Sequence, residues 1–168
     1  ELDEALGSNE ELSEEISDHA RMLEKALDNL AGGVGIFELH GNKPAVRYMS
    51  KSFYKLFNVT EDQMSGYASD YVMLAIPEDR SVLKKQILET ITSNKTTVRD
   101  IRFTDVNTGG YFWIQVCLSV MSIKNGIIAL CAVFIDVTSK MEAELENKAQ
   151  SEMLRLILQG SGESIIVY

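Results

Sequence analysis

Three long β-rich stretches follow one another between residues 97 and 137 and constrain the fold more than any other feature of the chain. They span 97–106, 111–123 and 127–137, and only four and three residues separate them. Both connections contain Asn and Gly, which are typical of tight turns, and connections this short join antiparallel neighbours. The third stretch is apolar at its first nine positions. This predicts a central strand that is covered on both faces.

Two short strands and then three helices are predicted before this β-rich region. The patterns predict strands at 34–39 and 45–49 and helices at 50–57, 61–64 and 77–92. The last of these helices begins at Pro77, a residue favoured in the first turn of a helix.

Residues 1–31 are predicted to form an amphipathic, coiled-coil-like helix. Ser8 and Glu11 have the spacing of a capping box, which predicts the start of the helix, and Gly32-Gly33 is expected to end it. Apolar residues then recur at heptad spacing. The seam positions are Leu12, Ile16, Leu23 and Leu30. Such a helix packs on its own domain or pairs with a copy of itself, and we expect a homodimer held by this seam.

Negative charge is concentrated at the N-terminus. The net charge is −9, yet residues 1–20 hold eight acidic side chains and no Lys or Arg, while the other 148 residues carry 17 acidic and 16 basic ones. A nearly neutral body offers no basic face to displace counterions from phosphates, so nucleic-acid binding is not expected. The acidic segment is either a solvated helix start or a patch for a basic partner.

Hydropathy and cysteine content indicate the cellular compartment in which we expect the protein. The longest apolar run has nine residues, about half of a membrane span, so no membrane contact is expected within this fragment. Cys117 and Cys131 are too few for a disulfide framework and are expected to be buried as small apolar residues. We therefore expect a cytoplasmic protein.

The end of the chain repeats its beginning. Residues 139–159 are predicted to form a connecting helix, because apolar residues recur on one side of it. The order of helix, glycines and strand at residues 22–37 then returns at 153–168. We therefore expect one complete domain at 32–138 and the start of a second, truncated copy at 160–168.

Four local patterns resemble those of the PAS sensor family, in the family's order and at its spacings. They are YMSKSFYKLF at 48–57 with VTED at 59–62 and Gly66, IPEDR at 76–80, FWI at 112–114, and DVT at 136–138. Ser50 stands where the family usually has Asn, and Asn58 where it usually has Gly. Neither departure is expected to change the fold.

The resemblance implies an α+β fold with a five-stranded antiparallel sheet, helices on one face of it and a pocket between them. It also implies flanking N-terminal and C-terminal signalling helices. It also implies a sensor or signal-relay module of a multidomain bacterial signalling protein. The downstream output domain would be a histidine kinase, a cyclic-dinucleotide enzyme or a transcription regulator. By the same analogy, Asp136 and Thr138, between the last strand and the following helix, are signal-relay candidates.

Side-chain alternation narrows the walls of the implied pocket. If residues 124–126 form a three-residue hairpin loop, Ile114, Val116 and Leu118 share a face with Asp136, Phe134 and Ala132, whereas a two-residue loop would turn the partner strand over. Family analogy points this face inward. The pocket candidates are Tyr71, Met73, Leu83, Ile87, Ile114, Val116, Leu118 and Phe134. Such a lining fits a small hydrophobic ligand or a filled core, and it names no ligand.

The sequence identifies no cofactor and no catalytic centre. No His follows His40, which argues against His-ligated heme in the pocket, and no Cys lies between residues 41 and 116, which argues against the cysteine-adduct flavin of the family's light sensors. No metal-ligand spacing, phosphate loop or nucleophile–base pair is visible. We therefore do not expect an enzyme.

Two functions stay open at this point. One is a sensor that passes a ligand-derived or conformation-derived signal through its flanking helices. The alternative is a ligand-free dimerisation and spacer module in which the helices alone act.

Overall fold

A computed structural model describes residues 2–29, 32–67 and 70–160. The chain divides into two units, Glu1–Asp136 and Val137–Tyr168, which we describe separately. The helices are α1 (Leu2–Asp28), α2 (Lys51–Phe57), α3 (Glu61–Ser65), α4 (Arg80–Ser93) and α5 (Thr138–Gly160), with 3₁₀ helices at Tyr71–Leu74 and Pro77–Asp79. The strands are β1 (Gly32–His40), β2 (Lys43–Met49), β3 (Thr97–Thr104), β4 (Tyr111–Lys124) and β5 (Ile127–Asp136).

The five strands form one antiparallel sheet in the order β2-β1-β5-β4-β3. This confirms the predicted α+β fold and the central place of the apolar strand β5. The expectation that both faces of β5 are covered was only half right. Leu130, Ala132 and Phe134 are buried on the inner face, but Ile135 on the outer face is 40% exposed. Ala129, Cys131 and Val133 on the same outer face are partly buried, so this face is covered only in part.

The hairpin between β4 and β5 differs from the expected one and still gives the predicted facing pairs. The loop has two residues, Asn125 and Gly126, both with positive φ, as a type I′ turn requires. A β-bulge at Met121, between the pairs of Val120 and Ser122, adds one residue to β4 and shifts the register back. The pairs Ile114–Asp136, Val116–Phe134 and Leu118–Ala132 are therefore confirmed, although the three-residue loop was wrong.

Helix α2 is fastened to the sheet by a buried serine at its start. The Ser50 Oγ accepts hydrogen bonds from the backbone N–H groups of Val34 and Phe53, at 2.9 and 3.2 Å. Ser50 thus caps the helix and holds β1 at the same time. Asn58 ends the helix with φ 51°, in the left-handed region that Asn tolerates in place of Gly.

Two expectations about the N-terminal helix were wrong. Helix α1 begins at Leu2, so Ser8 lies inside it, because the helix extends one and a half turns before the capping-box pair. The glycines do not end the helix but belong to β1, where Gly33 packs against Phe53. The predicted seam is not described: the side chains of Leu12, Ile16 and Leu23, and Leu30 altogether, lie outside the described residues.

The second unit is described as a single helix, α5. Its apolar side chains Leu145, Met153, Leu154, Leu156, Ile157 and Leu158 are all more than half exposed. Residues 161–168, where the truncated repeat was predicted, lie outside the described residues. None of the helices in the described parts of the chain is long and apolar enough to cross a membrane.

Replacing Gly33 by Ala should destabilise the fold. A Cβ at this position would lie 2.6 Å from the Cα of Phe53, so β1 and α2 would have to separate. We expect a loss of about 1–3 kcal/mol in the free energy of unfolding, the usual range for overpacking. Urea denaturation followed by circular dichroism measures it.

Gly7→Ala is the matched control. An added Cβ there meets nothing within 4 Å, and Ala favours a helix over Gly by up to about 1 kcal/mol, so stability should stay equal or rise. Equal midpoints for the Gly33→Ala variant and the wild type would contradict close β1–α2 packing.

Candidate functional site

A cavity of about 90 Å³ lies between the inner face of the sheet and the helices packed on it. Every strand of the sheet contributes to its wall, together with α2, α4 and the 3₁₀ helix Tyr71–Leu74. The lining residues are Phe37, Leu39, Pro44, Phe53, Phe57, Asp70, Tyr71, Val72, Leu74, Leu83, Ile87, Phe103, Val116, Leu118, Leu130, Ala132 and Phe134. Asp70 is the one charged side chain among them.

Six of the eight predicted pocket residues lie in this wall, namely Tyr71, Leu83, Ile87, Val116, Leu118 and Phe134. Met73 and Ile114 do not. Met73 is 45% exposed, because the 3₁₀ helix turns its neighbours Val72 and Leu74 toward the cavity and leaves Met73 outside. Ile114 shares the inner face of β4 but pairs with Ile101 in the closed part of the core.

Phenylalanines missed by the sequence reasoning form a large part of the wall. The rings of Phe53 and Phe57 stack with centroids 4.3 Å apart, and Phe134 meets both of them edge-on at 5.1 and 5.6 Å. Phe103 joins this cluster through Phe57, at 5.2 Å. The spacing of Phe53 and Phe57 by four residues on a predicted helix is the signal that places both on one face. Alternation along β1 would likewise have placed Phe37 and Leu39 on one face, and both line the cavity.

A second aromatic contact joins the sheet to the 3₁₀ helix on the other side of the cavity. The rings of Phe37 and Tyr71 meet edge-on with centroids 5.5 Å apart, and both side chains are partly exposed. Burial raises the pKa of the Tyr71 hydroxyl, with a smaller effect from Tyr54, so this hydroxyl stays neutral at physiological pH. Leu39, Pro44 and Asp70 are partly exposed as well, so the cavity opens between the β1–β2 hairpin and this 3₁₀ helix.

An ion pair fixes the segment that carries this part of the wall. The Asp79 carboxylate accepts hydrogen bonds from the backbone N–H of Arg102 and from its guanidinium, at 2.6–3.0 Å. These side-chain bonds hold the pKa of Asp79 below its ordinary value, against the opposing effect of burial. The guanidinium also lies 5.3 Å from the centre of the Trp113 ring. The next residue, Arg80, donates to the carbonyls of Ala75 and Met73. The Asp79–Arg102 ion pair and the hydrogen bonds of Arg80 together hold residues 73–80 along the edge of β3.

The chain enters and leaves the sheet at one point. Gly32, the first residue of β1, pairs with Ile135 near the end of β5, and Phe134 of the cavity wall pairs with Gly33. The relay candidate Asp136 ends β5, and Thr138 begins α5. Both flanking helices are therefore joined to neighbouring ends of the central strand pair, next to a residue of the cavity wall.

The sequence pattern of the PAS fold matches residues 46–133, which is more than half of the chain. The chain belongs to the PAS fold family. Among curated proteins, none matches the sequence.

Solved structures of PAS-type domains have the same fold. A sensory box histidine kinase/response regulator from Burkholderia thailandensis E264 has a TM-score of 0.62 and 16% identity, covering 79% of this chain and 97% of that one. The N-terminal domain of a diguanylate cyclase with PAS/PAC sensor from Marinobacter aquaeolei has a TM-score of 0.51 and 18% identity, covering 65% and 98%. A light-oxygen-voltage domain studied with a flavin analogue has a TM-score of 0.56 and 17% identity, covering 77% and 96%.

The residues of this PAS cavity do not fit a flavin. A cavity of about 90 Å³ is well below the roughly 300–1,000 Å³ of drug-sized ligand pockets, and its hydrocarbon wall offers few partners for a polar ring edge. Cys117 and Cys131 alternate with the lining residues of β4 and β5, so they lie on the outer face of the sheet. They are partly buried rather than fully buried as expected, and burial raises the pKa of the Cys131 thiol.

Within residues 2–29, 32–67 and 70–160, no group of three or more His, Cys, Asp or Glu side chains is placed to hold a metal ion. His40 lies at the end of β1, where it contacts Glu38 at the surface rather than the cavity.

Replacing Asp79 by Asn should destabilise the PAS domain in a pH-dependent way. The variant loses charge-assisted hydrogen bonds to Arg102, and we expect the free energy of unfolding to fall by about 2 kcal/mol at pH 7. Because the folded-state pKa of Asp79 is lowered, its contribution is complete above its ordinary pKa of 3.8 and is lost as the pH falls through the lowered value. The difference between variant and wild type should therefore shrink below about pH 4.

Urea denaturation at pH 7, 5 and 3.5 measures this difference. Asp100→Asn is the matched control, since Asp100 also lies on β3 but makes only an exposed hydrogen bond with Gln115. The control should stay within about 0.5 kcal/mol of wild type. Equal losses for the two variants at pH 7 would show that the buried ion pair does not hold the 73–80 segment.

Proposed function

We propose that this PAS domain is the regulatory sensor and relay module of a larger signal-transduction protein. The observation that carries the proposal is the shared attachment point of the flanking helices. Strand β1, which follows α1, and strand β5, which precedes α5, are hydrogen-bonded neighbours. Phe134 of the cavity wall lies four residues before α5 begins. A change at the cavity therefore has a short covalent path to the end of the domain.

The proposed mechanism has three steps. An input alters the cavity wall and shifts Phe134 against Phe53 and Phe57, with which it is in ring contact. The shift moves the end of β5, where Asp136 and Thr138 act as relay residues. Helix α5 then changes its packing in the full-length protein. For this to switch an output, the two packings must differ by a few kcal/mol and the input must favour one of them.

The output domain that we propose lies beyond α5 in the full-length chain. The likeness to domains of a histidine kinase/response regulator and of a diguanylate cyclase supports an output of the histidine kinase or cyclic-dinucleotide enzyme class, with a transcription regulator as a further candidate. The domain itself acts without catalysis in this proposal, because its cavity is walled by hydrocarbon side chains.

A ligand-free dimerisation and spacer module is the second candidate. The exposed apolar side chains near the end of α5, Met153 and Leu154 with residues 156–158, favour it, because a helix with such a surface needs a partner. The heptad spacing of α1 supports the same idea. Both candidates include a homodimer, and they differ in whether the cavity takes part.

Filling the cavity should change the output. We would fuse residues 1–160 through α5 to the catalytic region of a histidine kinase and measure its autophosphorylation. Leu83→Trp places an indole in the cavity wall and should change the rate at least about fivefold, the lower end of typical allosteric couplings. Leu88→Trp is the control, because Leu88 lies on the same helix and is 62% exposed. Equal rates for both variants and the wild type would favour the spacer.

Charges in the predicted seam should separate the dimer. The variant Ile16→Asp with Leu23→Asp would bury carboxylates between helices, so we expect a monomer at concentrations where the wild type is a dimer. Analytical ultracentrifugation gives the mass, and circular dichroism checks that the domain stays folded. Glu14→Gln with Asp18→Asn, at exposed positions of the same helix, should leave the dimer intact. A dimer that survives the Asp substitutions would place the interface elsewhere.

A further inference from the structure

We propose that the cavity binds a compact, uncharged, apolar molecule about the size of a single hydrocarbon ring. The proposal rests on the proposed function, because it assigns a ligand class to the site through which that function receives its input. It follows from the chemistry of the cavity wall, the positions of its polar atoms, and its volume.

The wall of the cavity is made almost entirely of hydrocarbon. Fifteen of the seventeen lining residues have side chains without a polar atom, the exceptions being Asp70 and Tyr71. A buried water needs about two to four hydrogen-bond partners. The strands of the wall use their backbone groups in the sheet ladder. Water in this space would lack partners, so an apolar molecule that replaces empty space or poorly bonded water gains affinity.

The polar groups at the cavity argue against a charged ligand. The Asp70 Oδ1 accepts a hydrogen bond from the backbone N–H of Val72, at 3.1 Å, so this carboxylate is already engaged in capping the 3₁₀ helix. The lining contains no Lys, Arg or His. A carboxylate or phosphate of a ligand would therefore face one negative charge and no positive one, and its desolvation would be uncompensated.

The volume sets the size of the ligand. Apolar protein cavities of about 150 Å³ stay dry and bind benzene or xenon, and the present cavity of about 90 Å³ is of the same order. It is too small for a fused ring system or a long acyl chain. A single ring or a few carbon atoms fit after small movements of the partly exposed side chains Phe37 and Tyr71 at the opening.

The arrangement of the wall favours a flat aromatic ring. Phe53, Phe57 and Phe134 already meet one another by stacking and edge-to-face contacts. Aromatic rings prefer these geometries, which add about 0.5–1.5 kcal/mol per pair to the burial of apolar area. A ligand ring would extend the cluster into the cavity, against the aliphatic side chains of Leu83 and Ile87.

The test is an NMR titration of the full 168-residue chain with benzene, with ¹³C-labelled methyl groups as reporters. Benzoate, which has the same ring and a negative charge, is the matched probe. Benzene should give saturable shifts at the methyl groups of Ile87, Val116 and Leu118, whereas benzoate should give none. Leu83→Trp should weaken benzene binding at least tenfold, and Leu88→Trp should leave it within twofold. If Leu83→Trp fails to fold, Ala132→Leu fills the same cavity from the sheet.

Three results would overturn the proposal. They are the absence of saturable shifts up to the solubility limit of benzene, equal shifts with benzoate, and shifts confined to exposed methyl groups such as that of Ile123, which is 59% exposed. The autophosphorylation of the fusion protein is measured without benzene and separates the two proposals. If benzene does not bind but Leu83→Trp still changes the output, the ligand class is wrong and the relay stands. If benzene binds but Leu83→Trp leaves the output of the fusion protein unchanged, the relay is wrong.

Discussion

The hydrogen-bonded pair of β1 and β5 is the constraint on which the rest of this structure depends. It joins the β1–β2 hairpin to the three-stranded β3–β4–β5 meander, and among the described residues no other strand pairing connects these two parts of the sheet. Its partners are far apart in the chain, since Gly32 pairs with Ile135, so a large loop closes when it forms. The cavity exists because this pairing brings Phe37 and Leu39 of β1 beside Leu130, Ala132 and Phe134 of β5.

The tightly packed side of the core and the more easily moved side, at the cavity opening, lie in different parts of the domain. One side of the core is closed: Phe53, Ile101 and Ile114 are at most 1% exposed, and Ser50 ties α2 to β1 from a fully buried position. The side at the cavity opening depends on a 3₁₀ helix held by Arg80 and by the Asp79–Arg102 ion pair. Short 3₁₀ segments have poorer hydrogen-bond geometry than α-helices, so this side is the easier one to move. The sensor role that we propose requires such a division, because a uniformly rigid core could not respond to an input.

The sequence was sufficient for the strands, for most of the helices and for six of the seventeen residues that line the cavity, and its failures have physical causes. Alternation in β4 and β5 puts Val116, Leu118 and Phe134 on one face, because the period of a strand is two residues wherever it is regular. The resemblance to the PAS family implies that this face is the inner one, and all three residues line the cavity. Met73 was wrongly predicted to line the cavity because it lies in a 3₁₀ helix. The side chains of a 3₁₀ helix repeat every three residues, unlike those of a strand or an α-helix. The bond between Asp79 and Arg102 joins residues 23 positions apart in different elements, and no local pattern indicates such a pair. Ile114 was correctly assigned to the inner face but lies beyond the end of the cavity. Alternation predicts the face on which a side chain lies and not its position along the strand relative to the cavity.

The bulge at Met121 takes the place of a third residue in the β4–β5 loop. The bulge lies between the tip of the hairpin and the cavity wall. The two loop residues and the extra residue of the bulge together determine the register in which Val120 pairs with Leu130. A homologue that gained one residue in the loop could lose the bulge, and the residues beyond it would keep their faces. Insertions and deletions in this family should therefore accumulate at the tip of the β4–β5 hairpin in compensating pairs, while the number of residues between Ile114 and Val120 stays fixed.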